Sequence, residues 1–563
     1  MNQARRFPFV SRRAFHLALL AFGTLFLLVG AFHGNVWFDE SYSVAIANHS
    51  FGEIWTIGSG DVHPILFYWA LHVLNLVFGQ NILAYRLFAV LGAVALAALG
   101  YTHVRRDFGW RIGVLFSFLA LFVPYVSVMA VEIRMYSWAT FSVMLCAVYA
   151  YRIASLLRAG GPNESTVAAL ASGLPLWAGA PRRWWLVFFA ASLASAYLHY
   201  FGVLSAFVVN LLMLAFLLQR AFKLRKSRRG HGGVPGGHPL AVFLLGAVAQ
   251  VALYAPWLAA LASQMGVVSQ TYWANMVFPA TYIELATYPI MTSQMSFASR
   301  GAYGGGWQVL VTALGIAALV LLVALVIWAV WRATKMKRPL SVSGDVRAAL
   351  AALAVYGGVL VIAWGASYVM NSLILYYRYL FVALGPLLFA CAVLLSHVRS
   401  RVLVGGVCAV LLGTSLTSQA LFVSDCYASD NQVPLERFAE VTESLAADQD
   451  GADPLVVSSD IGIEGVTAVT FPDVPQTYMD WQKGNWDQAY RAYEPTLSSQ
   501  KSWELILDDF HGRFIVLGQS QNGEEPRDVA DLSQKSGITK LESQTYYRPY
   551  ERTWFTIAVM EKE

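Results

Sequence analysis

The sequence is dominated by apolar runs, each long enough to cross the hydrocarbon core of a bilayer as a helix. They fall near residues 14–32, 80–101, 110–127, 133–154, 184–199, 201–219, 239–257, 308–331, 348–369, 373–393 and 402–420. A backbone in hydrocarbon must satisfy its own hydrogen bonds, so such runs fold as helices. The expected fold is therefore a polytopic α-helical membrane protein with about eleven transmembrane helices. Only 13% of the residues are charged, where a soluble domain carries about a quarter. The first run follows Arg5, Arg6, Arg12 and Arg13, the plan of a signal peptide. No small-x-small site closes it and many spans follow, so it reads as an uncleaved anchor.

Charge divides the chain. Residues 1–420 hold 28 Lys and Arg against 9 Asp and Glu, whereas residues 421–563 hold 11 against 25. The basic part is expected to be the membrane domain and the acidic part a separate soluble domain. Basic residues collect in cytoplasmic connections. A cytoplasmic N-terminus places Arg105, Arg106 and Arg111, then Arg152, Arg158, Arg182 and Arg183, then Arg220 to Arg229, Arg332 to Arg347, and Arg399 with Arg401 on that side. The basic balance thus implies cytoplasmic loops and not nucleic acid. The expected location is the plasma membrane, with residues 421–563 extracytoplasmic.

Within the membrane domain, residues 33–80 form the first outer loop, which has no Lys or Arg. Residues 61–78 within it read as an interfacial helix, the alternative being a short extra span that would flip the topology. Residues 258–306 form a long outer loop. The sequon Asn163-Glu164-Ser165 falls on the cytoplasmic side, and Gly230 to Gly237 reads as a linker. The acidic tail alternates strand-like and helix-like stretches. Strands are expected at 454–460, 513–517 and 554–560 and helices at 499–510 and 526–536, which gives a small α/β domain. Cys146, Cys391 and Cys408 lie in apolar runs and Cys426 outside them, so no disulfide framework is implied.

The informative charges are those that break this order. Asp39, Glu40, Glu53, Asp61, Glu132 and Glu284 are acids on the outer side, and Arg86, Arg134, Arg300 and Arg378 are cations there. Ionisable residues at membrane depth mark functional sites by default. Asp39 and Glu40 are adjacent, so on a helix they point in different directions. Asp39 either takes a proton from an attacking hydroxyl or caps a helix. Arg86, Arg134 and Arg378 fall at a similar depth, where their forks match a lipid phosphate; the alternative is snorkelling or pairing with an acid. His63 can orient a carboxylate, bind a metal or start a helix. Tyr197-Leu198-His199-Tyr200 can line an acceptor pocket or form an aromatic belt.

Three of these stretches, in order, resemble the protein O-mannosyltransferase and lipid A aminoarabinose transferase superfamily of GT-C membrane glycosyltransferases: Asp39-Glu40 in the first outer loop, then Asp61-Val62-His63-Pro64, then Tyr85-Arg86-Leu87. Glu132-Ile133-Arg134-Met135-Tyr136, the turn at His199-Tyr200, Tyr254-Ala255-Pro256-Trp257 and Arg378-Tyr379-Leu380 resemble its bacterial, family 39-like branch. The resemblance covers residues 14–420. It implies an inverting hexosyl or pentosyl transfer from a polyprenyl-phosphate sugar to a glycan, glycolipid or protein acceptor at the outer face. The tail does not resemble the β-trefoil of the eukaryotic enzymes, which leaves protein the least supported acceptor. By this resemblance Asp39 is the base with Glu40 beside it, and Arg86, Arg134 and Arg378 bind the donor phosphate. Asp61, His63, Glu132, Tyr136, His199, Tyr200 and Tyr377 are expected to support the site or meet the acceptor. A divalent metal ion is possible, with no ligand spacing that demands it. The competing class is a lipid or polysaccharide transporter or flippase, which paired broken helices and midplane charges would mark.

Overall fold

A computed structural model describes residues 11–158, 176–227, 238–271, 280–290, 344–370, 372–448, 453–480 and 490–563. The expected span at 308–331, the sequon at Asn163, the linker at 230–237 and Arg300 lie outside these residues. Among the described residues eight helices are long and apolar enough to cross a membrane. They are Arg12–Ala31, Ile82–Phe108, Tyr136–Arg158, Tyr200–Lys223, Pro239–Gly266, Gly344–Val369, Tyr377–His397 and Arg401–Tyr427. The run expected at 110–127 is a broken helix, Trp110–Phe122 followed by Pro124–Val131, bent by 61°. The residue before a proline is driven out of the helical region, and Val123 is extended with φ −70 and ψ 123 while Pro124 opens the second segment. The run at 184–199 is the 17-residue helix Arg182–Leu198.

Residues 33–80, expected as the first outer loop and called so below, hold three short helices, Phe38–Ile46, Phe51–Gly58 and Leu66–Phe78. Asn75 ties the last of them back to the first, its amide donating to Ala47 O at 3.2 Å and to Asn48 Oδ1 at 3.2 Å. In the described part of the expected loop 258–306, its first residues and 280–290, the structure differs from expectation. The helix Pro239–Thr271 runs through Pro256 and past residue 258, and Ala280–Thr287 is a further helix. Apolar residues continue beyond Trp257, and the hydrogen bond lost at the proline is not enough to end a helix packed on its neighbours.

The last membrane helix continues to Tyr427, beyond the expected boundary at 420, and the tail folds as a mixed α/β domain. Its strands are β1 (Leu455–Ser458), β2 (Gln476–Met479), β3 (Leu497–Gln500), β4 (Gly512–Ser520), β5 (Ile538–Arg548) and β6 (Thr553–Lys562). The sheet order is β3-β2-β1-β4-β6-β5; the first four strands are parallel, and β6 joins antiparallel to both β4 and β5. β1 and β4 are central and nearly continuous in apolar residues, as strands buried on both faces require. Helices Val433–Asp448 and Ile461–Thr470 precede and follow β1.

This domain is docked on the first outer loop. Tyr493 and Ser41 share a hydroxyl hydrogen bond of 2.9 Å, His49 Nε2 reaches Ala492 O at 2.9 Å, and Gln80 Nε2 donates to Val469 O at 3.1 Å. A side chain at Gly465 would meet the Tyr493 hydroxyl at 2.6 Å and Ser41 Oγ at 3.1 Å, so the approach of the two parts needs glycine there. Gly202 does the same for the turn carrying His199, where an added Cβ would lie 1.9 Å from the carbonyl oxygen of Ser195. Gly202→Ala must therefore splay the helices Arg182–Leu198 and Tyr200–Ser227. The expected cost is about 1–3 kcal/mol, read as a lowered thermal unfolding temperature of the detergent-solubilised protein; an unchanged temperature would show that the turn relaxes freely.

Candidate functional site

The helix Phe38–Ile46 has Trp37 at its N-cap, so Asp39 is not the cap. Capping falls to Glu40, whose Oε2 accepts from Trp37 N at 3.4 Å. The two acids point apart, as neighbours on a helix must, and they enter different networks.

Glu40 is fully buried and saturated. Arg86 donates to it with both arms of its fork, Nη1 to Oε1 at 2.7 Å and Nη2 to Oε2 at 3.0 Å. Ile133 N adds a bond to Oε1 at 3.0 Å and the Tyr550 hydroxyl one to Oε2 at 2.8 Å. Arg86 is equally enclosed and also donates to the carbonyls of Val131, at 3.0 Å, and Asn35. A bidentate pair whose remaining acceptor sites and both Nη groups are used is the arrangement in which a buried ion pair holds together; only Arg86 Nε has no hydrogen-bond partner among the described residues. It joins five elements: the first outer helix, the span Ile82–Phe108, the broken helix, the segment before Tyr136 and the tail domain.

Arg134, 3% exposed, forms a second knot. Its Nη1 donates to Asp39 O at 3.2 Å and to Ser43 Oγ and Tyr68 Oη at 3.3 Å each. Its Nη2 lies 3.1 and 3.2 Å from the two ring nitrogens of His63. A guanidinium only donates, so the imidazole offers it a lone pair. Burial, then the Arg134 charge, hold His63 below the usual histidine range, which keeps it neutral. Its Nδ1 also lies 3.5 Å from Asp61 Oδ2, which accepts from the Tyr68 hydroxyl at 3.0 Å. Burial pushes the Asp61 carboxyl up, but the His63 hydrogen bond and neighbouring positive charge outweigh it and hold the group below its usual value.

Asp39 and Arg378 form the half-open part of the constellation. Arg378 Nη1 donates to Asp39 Oδ2 at 2.7 Å, and the side chains are 21% and 26% exposed. The guanidinium lies over the Trp37 ring at 4.6 Å, a cation–π contact. Glu132 Oε1 lies 3.9 Å from the same Nη1. Neither oxygen of Glu132 has a hydrogen-bond partner among the described residues, although the side chain is only 7% exposed. Burial pushes its carboxyl up to about 7, against the opposing pull of Arg378.

His199 completes the wall. It is 3% exposed, with its ring 5.4 Å from Tyr136, 5.3 Å from Tyr379 and 5.7 Å from His63. Nδ1 accepts from Phe201 N at 3.0 Å, so in the neutral ring the proton sits on Nε2, a donor with no partner among the described residues. Burial, with His63 and Arg134 nearby, keeps the ring well below the usual histidine range. Two residues grouped with these by sequence lie elsewhere. Tyr200 bonds Gln264 and accepts from Trp257 Nε1 at 3.1 Å. Tyr377 packs in an aromatic group with Tyr125 and Tyr376 at 5.8 and 4.5 Å. Sequence reasoning missed Trp37, Tyr68 and Tyr550. The first two lie beside singled-out motifs, but nothing local marks Tyr550, which reaches Glu40 from the far end of the chain.

A divalent cation is poorly served. Among the described residues no three His, Cys, Asp or Glu side chains converge, and the neighbouring carboxylates Asp39 and Glu132 already share a guanidinium.

No family model matches the chain, and no curated protein matches it. Among solved structures it is similar to ArnT from Cupriavidus metallidurans in the apo state, at 13% identity over 97% of each chain with a TM-score of 0.43. For the same protein bound to undecaprenyl phosphate the values are 14% identity, 97% of this chain, 98% of that one and a TM-score of 0.49. An Archaeoglobus fulgidus oligosaccharyltransferase in complex with Zn and sulfate is similar at 13% identity, over 88% of this chain and 67% of that one, with a TM-score of 0.37.

Two outcomes follow from the geometry. Glu40→Gln leaves Arg86 charged and buried without its counter-ion, which costs about 3–5 kcal/mol; the detergent-solubilised variant should unfold or yield little folded protein, whereas a normal unfolding temperature would deny the pair its structural weight. Glu132 titrates near 4.3 when unfolded and higher when folded, so the folded state binds more protons between the two values and stability falls as pH rises through that window. Glu132→Gln removes this slope. Its thermal stability relative to the parent should rise from about pH 5 to about pH 8, and a pH-independent difference would contradict a protonated Glu132.

Proposed function

We propose that the chain is a GT-C-type glycosyltransferase that moves a sugar from a polyprenyl-phosphate carrier to an acceptor hydroxyl at the extracytoplasmic face of the membrane. The observation that carries this reading is the half-open Asp39–Arg378 pair at the end of the helix bundle, beneath the tail domain and bordered by buried polar groups with no partner among the described residues. An acid able to take a proton and a cation able to hold a phosphate are brought to one place, in the order and with the motifs that resemble this enzyme class. The opposite ends of the helices carry the basic clusters, and the positive-inside rule then puts Asp39 and the tail outside.

Each group has a defined task in this reading. Arg378 is the phosphate ligand, because among the described residues its only hydrogen bond is to Asp39. Arg134 is spent on the Asp39 backbone, Ser43, Tyr68 and His63. It orients the helix that carries Asp39 and adds positive potential. Arg86, expected from sequence as a phosphate ligand, has its fork occupied by Glu40 and two carbonyls; we assign it and Glu40 to structure. In the reaction the acceptor oxygen bonds to the anomeric carbon as its proton passes to Asp39. The bond from that carbon to the phosphate oxygen breaks on the opposite face, which inverts the centre. The phosphate leaves with added negative charge, and Arg378 stabilises that charge where it develops. No step is routed through a metal.

The test is sugar transfer from a labelled polyprenyl-phosphate donor. Asp39→Asn should fold, bind polyprenyl phosphate no more weakly than the parent, and turn over about 10²–10⁴-fold more slowly. Unchanged turnover would remove Asp39 as the base. Arg378→Gln should weaken binding of polyprenyl phosphate by roughly tenfold or more; an unaltered affinity would move the phosphate elsewhere.

A further inference from the structure

The helix Tyr136–Arg158 begins beside His199 and runs 23 residues, about 33 Å at the helical rise. From Met144 to its far end at Arg158 it borders a cavity of about 170 Å³. Most of the wall is apolar, with Met144, Val148, Leu212, Met213, Phe216 and Phe389 among the lining residues. The polar part is confined to Tyr151, Ser155, Arg158 and Arg347.

The charges at this end do not balance. Asp107 is bound by Arg152, with Nε at 2.6 Å and Nη2 at 2.9 Å. Asp345 lies 3.2 Å from His397 Nε2. Both nearby acids are thus matched to other side chains, and among the described residues neither Arg158 nor Arg347 has a carboxylate within ion-pair distance. Arg158 instead stacks on Phe216, its guanidinium carbon 5.0 Å from the ring centre. Both arginines are exposed at the mouth; their repulsion is screened by water, and an anion seated between them against the apolar wall gains from both charges. The hydrocarbon walls behind them suit a molecule that is anionic at one end and apolar along the rest.

We infer that this end of the bundle is a binding site for one anionic phospholipid, with its headgroup phosphate on Arg158 and Arg347 and the part of one acyl chain nearest the headgroup in the cavity. Its arginines lie at the opposite end of the helix Tyr136–Arg158 from His199 and the Asp39 site, and it does not depend on what reaction Asp39 performs. An inner-leaflet anionic lipid fits the orientation that the basic clusters imply.

Native mass spectrometry of the full-length protein, titrated with phosphatidylglycerol or phosphatidylcholine in detergent, tests this. One phosphatidylglycerol should be retained, with a preference over phosphatidylcholine of roughly tenfold. R158Q/R347Q should abolish the preference and R158K/R347K should keep most of it, which separates loss of charge from loss of fold. Val148→Trp fills the cavity with both arginines intact and should weaken retention of both lipids. Millimolar inorganic phosphate should not displace the lipid. A preference that survives R158Q/R347Q, a Val148→Trp variant that retains lipid normally, or displacement by inorganic phosphate would each overturn the site.

Discussion

The buried pair of Glu40 and Arg86 is the interaction on which the rest of the structure depends. Both side chains are fully buried, so each is tolerable only because the other is in place, with the Glu40 oxygens and both Arg86 Nη groups hydrogen-bonded. Those bonds come from Asn35, Trp37, Val131, Ile133 and Tyr550, from both ends of the sequence. The pair fixes the first outer helix on the bundle and draws the tail domain down onto it. Because adjacent residues on a helix diverge, fixing Glu40 inward turns Asp39 toward Arg378.

The consequence is a division of labour between two neighbouring acids of the same charge. Glu40 is saturated; Asp39 is held at one oxygen by a guanidinium that is partly open and lies 3.9 Å from a second acid. Around that guanidinium, buried groups have no partner among the described residues: both oxygens of Glu132 and Nε2 of His199. A buried polar group with no partner costs free energy, and in a pocket that cost is recovered when a substrate supplies the missing bond. The arrangement is folded for stability on one side of the Asp39-Glu40 bond and left unfinished on the other.

Much of this was legible in the sequence, for definable reasons. Apolar runs announce helices because hydrocarbon permits little else, and ten of the eleven expected spans coincide with helices while 308–331 lies outside the described residues. The bend at Val123–Pro124 was not foreseen, since the apolar run continues through it. In the tail, the strands at Leu455–Ser458, Gly512–Ser520 and Thr553–Lys562 match stretches rich in β-branched and aromatic residues. The eleven-residue strand Ile538–Arg548 was missed because its face is polar, and the stretch expected as a helix at 499–510 is split into the end of a strand and the short helix Trp503–Leu507. Site residues were found where charge stood out against the membrane. What the sequence left undecided was pairing: which arginine meets which acid depends on packing between segments hundreds of residues apart, as Asp39 with Arg378 and Glu40 with Tyr550 show.

A structure of the protein with bound polyprenyl phosphate, determined by cryo-electron microscopy in a lipid nanodisc, bears on this division most directly. The phosphate should lie against Arg378, near Asp39 and Glu132, with the Glu40–Arg86 fork unchanged. A phosphate seated on Arg86, with Glu40 displaced from its fork, would contradict it.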